Sequence, residues 1–109
     1  MNALLIASAL WVLLLPPIKW NDGEQQIWTP KRVMEWEIME YVESGPACRA
    51  FREKQERRYW ESFNRMAPRD KGLAKRYFVA SSRLGLAKCM PVETMKELIR
   101  SQRYEVRGF

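Results

Sequence analysis

Residues 3–15 of this 109-residue chain read ALLIASALWVLLL, and the interpretation of this apolar stretch decides the predicted fold. No side chain from Met1 to Ile18 is charged. As an α-helix, residues 1–20 would rise about 30 Å, which matches the hydrocarbon core of a bilayer. The stretch therefore predicts a transmembrane anchor helix over residues 1–20.

The sequence after the stretch supports an exit from the bilayer near residue 18. Pro16 and Pro17 cannot donate backbone hydrogen bonds, so they end the helix. Lys19 followed by Trp20 is a pair typical of the headgroup boundary. The side chains expected to hold the chain in the membrane are Leu4, Leu5, Trp11, Leu13, Leu14, Leu15 and Trp20.

Two other interpretations of the stretch stay open. It could form a helix that docks on a partner or in a soluble core, since thirteen strongly apolar residues are few for a span. It could also be a signal peptide, although its first basic residue, Lys19, follows the apolar run. For an anchor, the positive-inside rule places residues 19–109 on the cytoplasmic or matrix side.

The remainder is interpreted as a linker over residues 21–28 and a basic helical domain over residues 29–109. Turn and capping residues predict its helices, which cover residues 29–44, 46–66 and 71–84 and a short segment after Pro91. The predicted fold class is therefore all-α, with a single N-terminal transmembrane (or membrane-anchoring) helix and a loosely packed set of three or four further helices.

The net charge of +6 indicates an anionic neighbour. Most of the positive charge falls between residues 46 and 88, where basic residues alternate with aromatic ones. Nucleic acid, anionic lipid and protein all suit this composition, and Glu53 before Arg57 also suits an ordinary surface ion pair. The side chains predicted to face an anionic partner are Arg52, Arg57, Arg58, Lys75 and Arg76.

Five Trp, four Tyr and four Phe are more aromatic surface than a small helical core hides easily. On a helix, Trp36 would lie about 160° from Ile38, and Trp60 would lie about 100° from Tyr59. At least one of the two tryptophans should thus face away from the core. The predicted contacts with a protein partner or a headgroup layer are Trp28, Trp36, Trp60 and Phe63.

The chain has no histidine and two cysteines, Cys48 and Cys89. This composition disfavours a zinc site, and two buried thiols are favoured over a disulfide. No nucleotide-binding or hydrolase motif occurs, and Glu37, Glu40 and Glu43 are interpreted as a solvated helical face. We expect no enzyme activity, catalytic residue, metal site, cofactor or small-molecule substrate.

These features predict a non-catalytic accessory subunit of a multi-protein membrane complex, with a respiratory-type complex of the mitochondrial inner membrane as one candidate. Its partners would be larger membrane-protein subunits and the lipid bilayer. The alternatives are a membrane-tethered basic protein bound to nucleic acid or the ribosome, with nucleic acid the less favoured partner, and a small regulatory or inhibitory membrane protein.

Overall fold

A computed structural model describes the main chain of residues 10–107 and the side chains as far as residue 102. Its elements include both helices and strands, so the predicted all-α class is wrong. In chain order they are β1 (Trp11–Leu15), β2 (Ile18–Asn21), β3 (Glu24–Ile27), a 3₁₀ turn (Val33–Glu35), β4 (Glu37–Val42), α1 (Gly45–Met66), α2 (Lys71–Gly85), β5 (Lys88–Pro91) and α3 (Val92–Arg107).

Strand β1 is the centre of a three-stranded antiparallel sheet with the order β4-β1-β5. Leu13 lies opposite Glu40 on one side and Cys89 on the other. Such a strand, with a neighbour on each side and a covered face above and below, is apolar along its whole length. The run WVLLL is therefore a buried strand.

The prediction of an anchor helix over residues 1–20 is wrong for the described part of this range, because residues 11–15 form strand β1. Leu13 and Leu14 are in the protein core, Trp11 and Leu15 are partly buried beside it, and Trp20 is 68% exposed on β2. Leu4 and Leu5 lie outside the described residues. None of the helices described between residues 10 and 107 is long and apolar enough to cross a membrane, which overturns the predicted single-pass localisation.

The two faces of the sheet have separate hydrophobic clusters because successive side chains of β1 point in opposite directions. Val12 and Leu14 pack with Val33, Trp36 and Met95, on the face that α3 covers. Leu13 packs on the other face against the α1–α2 pair, and its buried neighbours there are Cys48 and Leu84.

The region predicted as helix 29–44 contains the 3₁₀ turn and strand β4. Strand β4 has an irregularity at Met39, because Leu13 pairs with Glu40 whereas Leu14 pairs with Ile38. This bulge places Met39 against the cluster that contains Leu13. Pairing with β1 therefore prevailed over the helical spacing of these residues.

Residues 18–27, where a turn and linker was predicted in part, form a separate two-stranded hairpin of β2 and β3. Asp22 and Gly23 connect its strands with φ angles of 52° and 79°. Positive φ at both positions is typical of a type I′ turn, whose twist suits a tight hairpin. The Asn-Asp-Gly sequence thus makes a turn, as predicted, but between paired strands.

Cys48 of α1 and Cys89 of β5 form a disulfide bond, with their Cα atoms 6.1 Å apart. The preference for two free thiols is therefore corrected. The sequence offered no way to see the pairing, because Cys89 lies in a strand that the sequence did not reveal. The bond fastens the beginning of α1 to an edge strand of the sheet.

Candidate functional site

The α1–α2 pair, residues 45–85, carries most of the basic residues of the protein, and we call it the basic hairpin. It contains eleven Arg and Lys against four Asp and Glu, a net charge of +7. Local signals define both helices. The Ser44 hydroxyl accepts a hydrogen bond from Ala47 N at 3.1 Å, and Asp70 Oδ1 accepts one from Leu73 N at 3.1 Å. Both are N-caps of the expected kind.

One end of the basic hairpin is fixed to the sheet. Cys48 and Leu84 are buried there, beside Leu13. Arg52 Nη1 donates to the Leu84 main-chain oxygen at 3.3 Å and to Glu56 Oε2 at 3.2 Å, so this arginine links the two helices. Ser81 Oγ donates to the Glu56 main-chain oxygen at 3.3 Å. These contacts hold α1 and α2 in one register.

Three basic side chains of the hairpin have structural partners. Arg52 lies within this interhelical network. Lys75 Nζ is 3.0 Å from Glu24 Oε1 of strand β3. Arg83 donates to the Pro16 main-chain oxygen and to Glu37 Oε2. Arg52 and Lys75 were predicted to meet an anionic partner, and each also has a carboxylate within ion-pair distance in the protein.

The other eight basic side chains of the hairpin are all exposed, and none is within salt-bridge distance of a carboxylate in the part of the chain whose side chains are described. They are Arg49, Lys54, Arg57, Arg58, Arg65, Arg69, Lys71 and Arg76. The expected ion pair between Glu53 and Arg57 does not form, since Glu53 lies 3.9 Å from Arg52 instead.

Four of these residues form a row on α1 that we call the basic stripe: Lys54, Arg57, Arg58 and Arg65. At about 100° per residue, they fall within an arc of about 100° on the side of α1 away from Cys48. The row extends for about 16 Å along the helix axis. Glu61 is the one acidic residue within the arc. The stripe therefore places four exposed cations and one carboxylate on one side of α1.

Trp60, Phe63 and Phe78 form an aromatic cluster between the two helices, which we call the aromatic platform. The Trp60 and Phe63 ring centroids are 5.2 Å apart and stacked, and the Phe63 and Phe78 centroids are 5.5 Å apart. Trp60 is 46% exposed and Phe78 is 47% exposed. Trp60 and Phe78 thus each keep part of the ring in contact with solvent, while Phe63 packs between them.

A recess of about 240 Å³ lies between the helices and is lined by Gln55, Arg58, Tyr59, Ser62 and Tyr77. The Tyr59 and Tyr77 ring centroids are 6.3 Å apart. Arg58 belongs both to this recess and to the basic stripe. The recess adds hydroxyl groups and an amide next to the line of cations.

The four predicted aromatic contact residues lie in different surroundings. Trp60 and Phe63 are together in the platform. Trp28 is 38% exposed, with Lys19 Nζ 3.6 Å from the centre of its ring. Trp36 is only 8% exposed, and its Nε1 donates to the Pro30 main-chain oxygen at 2.8 Å. The helical angle assigned to Trp36 does not apply, because this residue lies between the 3₁₀ turn and strand β4.

Lys54, Arg65 and Phe78 belong to the stretch of alternating basic and aromatic residues but not to the side chains predicted to contact a partner. The pattern of α1 alone could have found Lys54 and Arg65, since both fall in the arc of Arg57 and Arg58. Phe78 belongs to α2 and joins the platform only through helix packing. The sequence therefore contained the signal for the stripe and only part of the signal for the platform.

The acidic residues of β4 do not converge. The Glu37 carboxylate is 2.6 Å from Arg83 Nη2, and the part of the chain that the structure describes contains no group of three His, Cys, Asp or Glu suited to a metal.

Comparison of the chain with protein-family models, with curated proteins and with solved structures finds no match.

Proposed function

We propose that this chain is a non-catalytic accessory protein of a larger assembly, and that its basic hairpin binds the phosphate backbone of a nucleic acid there. The observation that carries the proposal is the set of eight exposed basic side chains with no carboxylate partner among the described side chains. Unpaired surface cations attract polyanions. When they contact the phosphates of a nucleic acid, they release the counterions that were bound there, which favours binding.

The arrangement of the cations favours a linear partner. The basic stripe is about 16 Å long and lies along one side of α1, and a nucleic-acid strand likewise carries its phosphate charges at regular intervals along its length. Arg is suited to this task because its planar guanidinium makes two parallel hydrogen bonds to a phosphate. Three of the four residues of the stripe are arginines.

The proposed protein has no membrane anchor over residues 11–15, because these residues form β1 of the sheet. The accessory role is supported by other exposed apolar side chains, among them Trp20, Met34 and Ile38. Aromatic residues and Met are enriched in the buried centre of protein interfaces relative to the rest of the protein surface.

The test measures fluorescence anisotropy of a labelled mixed-sequence oligonucleotide at salt concentrations from 50 to 200 mM. We expect binding to weaken steeply as salt rises. Replacing Arg57, Arg58 and Arg65 with Gln should weaken binding at low salt and reduce the slope of log K against log salt by about 2, at about 0.7 per phosphate contact on a single strand.

The matched control replaces Lys31, Lys96 and Arg100, three exposed basic residues outside the hairpin, with Gln. It removes the same net charge and should change the slope by less than half as much. The proposal is wrong if the unmodified protein does not bind the oligonucleotide at 50 mM salt. It is equally wrong if the control triple mutant loses as much affinity as the hairpin triple mutant.

A further inference from the structure

The aromatic platform does not belong to either buried cluster of the described core. Its members Trp60, Phe63 and Phe78 are absent from the residues that pack around Leu13 and around Val12 and Leu14. Trp60 and Phe78 each leave nearly half of their surface in water. Burial of the sheet therefore does not account for three large rings at this place.

The platform lies next to the basic stripe on the same helix. Trp60 follows Arg57 by three residues, a spacing that brings Cβ atoms to about 5–6 Å on a helix surface. Around the axis, Trp60 is about 60° from Arg57, which is the nearer edge of the stripe. A chain lying along the stripe would therefore have the exposed part of the Trp60 ring beside it.

The neighbouring cations and ring faces match the two halves of a nucleotide. The stripe suits the phosphate, and the platform suits the flat face of a base. In a duplex, each base is stacked between its neighbours and shows only its edges in the grooves, so its face is unavailable. Only an unpaired strand can place phosphates on the stripe and base faces on the platform together.

We propose that Trp60 and Phe78 stack on the bases of a single-stranded nucleic acid whose phosphates lie on the basic stripe. The inference rests on the proposed function and adds to it a substrate class, single strands in preference to duplexes. The preference is independent of sequence, because every base has a face that can stack.

The experiment compares Trp60→Ala with the unmodified protein on a labelled 15-nucleotide single strand and on a duplex of the same sequence. Loss of one stacked base should weaken single-strand binding by about 5- to 150-fold. Duplex binding should stay within about twofold. Trp60→Phe retains a ring and should stay within about threefold on both probes.

A second variant keeps the test decisive if Trp60→Ala does not fold. Phe78→Leu on the other helix keeps an apolar side chain and removes the ring, and it should also weaken single-strand binding selectively. Circular dichroism and thermal unfolding identify any variant that has lost the fold. The inference is overturned if both folded variants bind the single strand as the unmodified protein does, or if duplex binding falls by the same factor.

The outcomes separate this inference from the proposed function. If the arginine triple mutant weakens binding and the aromatic variants do not, the platform has no role and the backbone contact remains. If the unmodified protein binds neither probe, both ideas fail. Vesicles containing an anionic phospholipid provide the third probe, and Trp60-dependent binding to vesicles without Trp60-dependent binding to the single strand would overturn base stacking.

Discussion

Arg83 of helix α2 donates a hydrogen bond from Nε to the main-chain oxygen of Pro16, over a distance of 2.9 Å. The same guanidinium contacts Glu37 Oε2 through Nη2. Pro16 is fully buried at the end of strand β1, and the Arg83 side chain is 15% exposed. One residue of the basic hairpin thus satisfies a buried carbonyl and links α2 to β1 and β4.

We expect Arg83→Ala to lower the free energy of unfolding by about 1.5–3 kcal/mol, because a charged donor to a buried carbonyl is lost. Urea unfolding followed by circular dichroism measures the change. The control is Arg76→Ala, on the same helix but exposed and without a described ion pair, which should change stability by less than about 0.5 kcal/mol. Equal effects would show that Arg83 is only a surface charge.

Reduction of the Cys48–Cys89 bond should destabilise the protein by about 4 kcal/mol, since the bond closes a loop over a separation of 41 residues. Urea midpoints with and without reductant measure this effect, and the Cys48→Ala/Cys89→Ala variant should match the reduced protein. Oligonucleotide binding should be unaffected while the protein remains folded, because each residue of the basic stripe lies about 80° or more around α1 from Cys48. A reductant-insensitive midpoint would contradict the bond.

Substitutions at Trp36 and Trp60, two of the three tryptophans predicted as contacts, should differ in their effect on the stability of the protein. Trp36→Ala removes a buried ring and should cost about 3–5 kcal/mol. Trp36→Phe leaves the Pro30 carbonyl without its donor and should cost about 1–3 kcal/mol. Trp60→Ala should cost clearly less than Trp36→Ala, since Trp60 is already half exposed. Thermal unfolding measures the stability of the three variants. If Trp60→Ala were more destabilising than Trp36→Ala, the placement of both rings would be contradicted.

Substitution of Gly23 should destabilise the protein although the space beside this residue is empty. A Cβ at this position would meet no atom within 4 Å, but the φ angle of +79° is unfavourable for other residues. Gly23→Ala should cost about 1–2 kcal/mol and loosen the β2–β3 hairpin. Amide hydrogen exchange of residues 18–27 reports this locally. The comparison is Gly72→Ala in α2, which has a normal helical position and should not destabilise the protein.

Helices α1 and α2 could be predicted because their signals are local. Ser44 and Asp70 cap them, and Pro46 and Gly45 mark the beginning of α1 as expected. The helical spacing of Lys54, Arg57, Arg58 and Arg65 also follows from the sequence alone. Together these signals are enough to define the charge of the basic hairpin and the basic stripe.

The sheet could not be predicted in this way. A five-residue apolar run has the same appearance in a membrane helix, a buried helix and a central strand until its neighbours are known. The neighbours of Leu13 are Glu40 and Cys89, which are far from it and from each other along the chain. The segment around Glu40 also has a spacing that suits a helix.

The two helices of the basic hairpin, their caps and their positive charge follow from the sequence, because they depend on residues within a few positions of one another. The strand over residues 11–15, the burial of Trp36, the disulfide bond and the contact between Phe78 and Trp60 follow from the tertiary structure. Each of these features depends on contacts between distant segments. A local sequence pattern does not indicate which distant segment will pair or pack with it.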